Sequence, residues 1–210
     1  MKHLIILTLS LFLLNNLYGQ DSSMLKKQII GTFHTSDTEI NGFSFGFAST
    51  MGDERNVKTN GLRLEVPGIG FLSFMGNGFP NATEPFKLDD YKFSEVVNGL
   101  NLSSGSWCDC NYNGITVGLF GQYGKLGNGL SLAGAYNIID KQNGIQVAVI
   151  ANTSYYFKGV QISAFNFAHH AKGLQVGLVN RSRGLKGIQL GLWNVNQKRQ
   201  LPIINWNFKK

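Results

Sequence analysis

The chain predicts an all-β fold, a parallel β-solenoid of 14–15-residue coils, and three observations predict it. The first is an internal repeat. From Gly144 the chain reads GIQVAVIANTSYYFK, GVQISAFNFAHHAK, GLQVGLVNRSRGLK and GIQLGLWNVNQKRQ, each segment restarting on Gly, an apolar residue and Gln. Self-similarity at a short fixed period marks stacked units that bury their faces against one another. The second is the alternation of apolar with small or polar residues inside each copy, which is strand rather than helix periodicity. The third is composition: 26 glycines with only 15% charged residues suits tight layers and turns better than helices.

Taken in order, Met1 to Gly19 (MKHLIILTLSLFLLNNLYG) has one lysine, an apolar stretch from Leu4 to Leu14, and two asparagines and then Gly19 before Gln20. That is the layout of a signal peptide, too short to span a bilayer. Residues 20–210 read as one repeat-built β domain. Gln28 to Phe33 offers a leading strand, and weak copies begin at Asn41-Gly42 (NGFSFGFAST) and Asn60-Gly61 (NGLRLEVPG). Residues 68–98 interrupt the repeat with two prolines, several aromatics and Glu84, Asp89, Asp90 and Glu95, an insertion that serves either as a functional face or as a packed cover. From Gly99 the restarts are regular, 15, 15, 15, 15, 14 and 14 residues apart. The residue before each glycine is Asn at 41, 60, 98, 113, 128 and 143, then Lys at 158, 172 and 186. Asn-Gly is a turn dipeptide because both residues tolerate positive φ. Pro202, which donates no backbone hydrogen bond, and the charged residues before it mark residues 197–210 as a C-terminal cap.

Counting each glycine as zero, positions one and three are aliphatic, as at Ile145 and Val147 or Ile188 and Leu190, so this column is expected to form the core. Position two is Gln at 146, 161, 175 and 189, position four is small, and Asn recurs near the strand end at 137, 152, 166, 180 and 194. In a solenoid, equivalent residues stack about 4.8 Å apart, so Gln and Asn form hydrogen-bonded ladders. The alternative is an up-and-down antiparallel meander or barrel, each copy one strand and a turn.

The chemistry is sparse. Cys108 and Cys110 close a small ring, pair between chains or stay free. His169-His170 reads as a turn pair, with no zinc spacing around it. No nucleophile elbow, phosphate loop, metalloprotease or dinucleotide motif occurs, so no catalytic residue, cofactor or metal is expected. A net charge of +7 suits anionic lipid or glycan, whereas the basic stripe with interleaved aromatics that nucleic acid requires is missing.

The copies GLQVGLVN and GIQLGLWN, together with the leader and the ending LPIINW, resemble a bacterial surface-repeat family of Gly-apolar-Gln-apolar-Gly/Ala-apolar-apolar-Asn units, closely from Gly144 to Asn194 and more loosely from Gly99. The resemblance implies export to the cell envelope or surface and no established activity. The expectation is a non-enzymatic exported protein, at the cell surface, outer membrane or periplasm, acting as a repeat scaffold or binding surface. The alternative is a small outer-membrane barrel serving as pore or anchor. The expected ligand face is the column Gln146, Gln161, Gln175 and Gln189 with Phe165 and Trp193, suited to a glycan, an envelope component or the strand edge of a partner protein.

Overall fold

The computed structural model describes residues 26–70 and 92–208. The leader and most of the 68–98 insertion lie outside the described residues. The described chain is all-β: β1 Lys26–Thr32, β2 Thr38–Gly46, β3 Val57–Glu65, β4 Glu95–Ser103, β5 Ser106–Trp107, β6 Cys110–Gly118, β7 Gly121–Ala133, β8 Tyr136–Ala148, β9 Ala151–Ile162, β10 Phe165–Val176, β11 Val179–Val195 and β12 Gln200–Asn207. In the order β1-β2-β3-β4-β6-β7-β8-β9-β10-β11 adjacent strands pair in parallel, β5 pairs β7, and the chain winds about ten turns as a β-solenoid. The restart glycines stay in register, Gly42 on Gly61 on Gly99 and on through Gly159, Gly173 and Gly187. An antiparallel barrel or meander is therefore not the architecture. Among the described strands only β12 is antiparallel, turning back along the last coil with Trp206 opposite Ile188.

Each coil turns once at its restart glycine and once at a two-residue bend such as Val149-Ile150. The nine restart glycines have φ between +128° and +155°. A Cβ at Gly159 would strike the Gly144 carbonyl oxygen of the coil below, so backbone stacking as well as φ demands glycine there. The preceding asparagines do not share the positive φ. They stack in a ladder of their own, each amide donating to the asparagine before it, from Asn143 to Asn128 at 2.9 Å down to Asn60 to Asn41 at 2.7 Å.

The interior reverses the expected sidedness. The aliphatic column at positions one and three points outward, with Ile115, Ile145 and Ile162 all more than 40% exposed. Position two points inward in every coil: Ser44, Arg63, Asn101, Thr116, Ser131, Gln146, Gln161, Gln175 and Gln189 are all at most 1% exposed. From Gln146 onward parallel stacking makes this stable, because each glutamine meets another one coil away and bonds to it. Gln161 donates to Gln146 at 2.7 Å, Gln175 to Gln161 at 2.8 Å and Gln189 to Gln175 at 2.8 Å. A second buried chain runs from Asn137 through Asn152, Asn166 and Asn180 to Asn194 at 2.8–3.1 Å, all donors pointing the same way. Position four is small because that ladder occupies the space: a Cβ at Gly191 would lie 2.6 Å from Asn180 Nδ2. The apolar core comes from the other wall, two residues before the glycine, in Ile40, Val97, Tyr112, Phe157, Ala171 and Leu185. Cys108 and Cys110, both buried, are joined as a disulfide beside Tyr112.

Candidate binding surfaces

Because the amides lie inside, the outer surface is made by the residues that alternate with them. One wall presents aliphatic side chains from β3 to β11, with Phe43 and Phe45 in their place on β2. They continue round the bend, where Leu119, Val149 and Leu192 are 69–70% exposed. The wall holds a shallow groove of about 600 Å³ lined by Val149, Ile162, Val176, Leu178, Leu190 and Ile203. Extended exposed apolar patches of this kind mark interaction sites.

The opposite wall is aromatic and basic. Tyr155 stacks on His169 at 4.4 Å and Tyr156 on His170 at 5.2 Å, with exposed Arg181 and Arg183 in the following coil. Partial burial, then the neighbouring Arg183 and His170, holds the His169 imidazole below its usual pKa. Between the two walls, at the glycine corner, Lys158, Lys172 and Lys186 stack in register. All three are exposed, and none forms an ion pair within the described residues.

The ionisable clusters elsewhere are enclosed. Arg63 donates through Nε to Glu95 at 2.6 Å and through Nη1 to Glu65 and Asn101, both at 2.9 Å, while Arg55 reaches Glu95 at 2.5 Å. Glu65 also accepts from the hydroxyls of Ser49, Ser103 and Ser106. Burial alone would raise the Glu65 pKa, but Arg63 and the serine hydroxyls outweigh it and hold the carboxyl below its usual value. The same two glutamates reverse the effect of burial on Arg63 and hold its guanidinium firmly protonated. Arg63, Glu65 and Glu95 are at most 1% exposed, so a substrate has no approach to them. Lys125 bridges Tyr123 at 2.8 Å and Asp140 at 3.0 Å on the aromatic wall, a pair that partly neutralises itself. No group of three or more His, Cys, Asp or Glu within the described residues is placed to hold a metal.

The expected ligand face is thus divided. Gln146, Gln161, Gln175 and Gln189 are fully buried and offer nothing to a ligand, because their amides are spent on one another in the interior. Phe165 and Trp193 lie outside, 36% and 45% exposed, on the bend that borders the aliphatic wall. What the reading of the sequence missed is that wall itself, along with the lysine corner. One signal was there to be read: residues 141–210 contain ten Lys or Arg and no Asp or Glu. Comparison with protein-family models, with curated proteins and with solved structures finds no match to this chain.

Proposed function

We propose that the chain is a non-enzymatic exported protein of the cell envelope or surface, a rigid solenoid scaffold that works by presenting a binding surface. The observation that carries this reading is the aliphatic wall. A chain that sheathes its own amides and turns a full row of Ile, Leu and Val outward has built a docking face rather than a pocket. Three further features support it. The leader Met1 to Gly19 has the composition of a secretory signal, and the Cys108–Cys110 disulfide suits an oxidising compartment. The carboxylates best able to serve acid–base chemistry, Glu65 and Glu95, are consumed in buried ion pairs. The GLQVGLVN-type copies add the resemblance to bacterial surface repeats.

The test is expression of the full chain in a bacterium with two membranes, followed by fractionation and N-terminal sequencing. The expected product begins after Gly19 and is recovered outside the cytoplasm. A chain that keeps Met1 and stays in the cytosol overturns the proposal.

A further inference from the structure

The geometry points to an anionic lipid surface as the occupant of the aliphatic wall, with the Lys158, Lys172 and Lys186 corner seated among the headgroups. This rests on the scaffold reading and names the partner of its docking face.

Three observations choose the lipid. The first is shape. The wall is about ten strands long and five residues wide, roughly 45 Å by 15 Å, or near 700 Å². That falls within the ~600–1,000 Å² that each partner of a standard-size protein complex buries, so area alone does not choose the occupant and curvature does. Highly exposed apolar residues, among them Leu119, Val149 and Leu192, lie where the surface curves away at the bend. Two rigid copies placed face to face would leave those bends in water. A deformable lipid surface takes up both the wall and its rounded edge, and Trp193 and Trp206 suit the headgroup boundary.

The second is charge. In the earlier coils the corner position holds asparagines that satisfy one another, but in the last three it holds lysines stacked directly over one another. Like charges opposite one another in a ladder repel. The chain gives up a self-satisfying ladder there for a self-repelling one, and an external anion relieves the repulsion. The third is the absence of Asp and Glu after Asp140. A second copy of this half would bring cations to cations, whereas phosphate headgroups supply the missing sign.

The experiment is flotation of the full chain with phosphatidylcholine vesicles, with and without phosphatidylglycerol. The chain is compared with Val149→Glu/Leu192→Glu and with Lys158→Gln/Lys172→Gln/Lys186→Gln. The leader is common to every variant, so differences report the coils. All five positions are exposed, and circular dichroism confirms that each variant folds. The expected result is binding to the anionic vesicles that the double glutamate variant loses by tenfold or more. The triple glutamine variant should weaken that binding by about a hundredfold at low salt. Equal binding by the glutamate variant overturns the inference, and so does equal binding to neutral vesicles. A concentration-dependent dimer in sedimentation, abolished by Val149→Glu/Leu192→Glu without vesicle binding, assigns the wall to a second copy instead. Binding to a soluble polyanion that survives the glutamate substitutions assigns the partner to the basic wall. Any of these outcomes with correct export in cells removes the lipid assignment and leaves the scaffold reading standing.

Discussion

The early and late coils enclose the same narrow interior with different chemistry. In the early coils, position two carries Arg63, and the interior is held by two arginines and two glutamates with serine hydroxyls filling the remaining lone pairs. In the late coils the same column carries Gln146, Gln161, Gln175 and Gln189, neutral groups that satisfy one another down the axis. The two regimes are joined without a break. Arg63 donates to Asn101, Asn101 to Thr116, Thr116 to Gln122 and Gln122 to Asn137, where the asparagine ladder begins. The difference teaches where robustness lies. An amide ladder spreads its demands over many equivalent bonds, whereas an ion network concentrates them on a few residues whose partners are irreplaceable.

The largest contrast should come from breaking the ion network. Glu95→Ala leaves Arg55 and Arg63 without their shared carboxylate in a sealed interior, an expected loss of about 3–5 kcal/mol in chemical denaturation. A loss below that of a mid-ladder glutamine would reverse the comparison. Acid is the next test. Glu65 has its pKa lowered on folding, so its stabilisation is complete above about pH 4.5 and is lost as pH falls through the folded value. Hydrogen exchange at low pH should open the early coils first. The late coils hold no carboxylate after Asp140 and respond near neutrality instead, weakly, as His169 protonates below its unfolded pKa of 6.5.

Within the ladder, Gln161→Ala strands Gln175 Nε2 and leaves Gln146 Oε1 with only the Ser154 hydroxyl at 3.2 Å, at about 1–3 kcal/mol for the buried group left unpaired. Gln189→Ala should cost least. Its removal strands Gln175 Oε1 and takes one donor from the Val195 carbonyl, but it also removes Gln189 Oε1, a buried acceptor with no partner within the described residues. Equal melting temperatures for the two variants would show that the ladder does not act as a directional chain.

The period, the parallel stacking of glutamine on glutamine, and the all-β class could be read from the restarts at Gly99 to Gly187 alone. The site could not. Alternation along Gly144 to Ile150 says that two faces differ, and the ordinary association of aliphatic with buried assigned the wrong one inward. The lone arginine in position two was equally silent about its partners, since Glu95 lies 32 residues away and meets Arg63 only after the coils stack.

The amino-acid order by itself determined the repeat length, the glycine corners and the registration of like residues, because a backbone that returns every 14 or 15 residues places equivalents over one another whatever their polarity. Only the tertiary structure decided which column faces inward. A thin coil has an interior that planar amides and small residues fill with most of their hydrogen bonds paired along the axis, so most of the usual cost of burying polar groups is met by the neighbouring coils. The aliphatic columns are thereby turned outward and form the exposed wall.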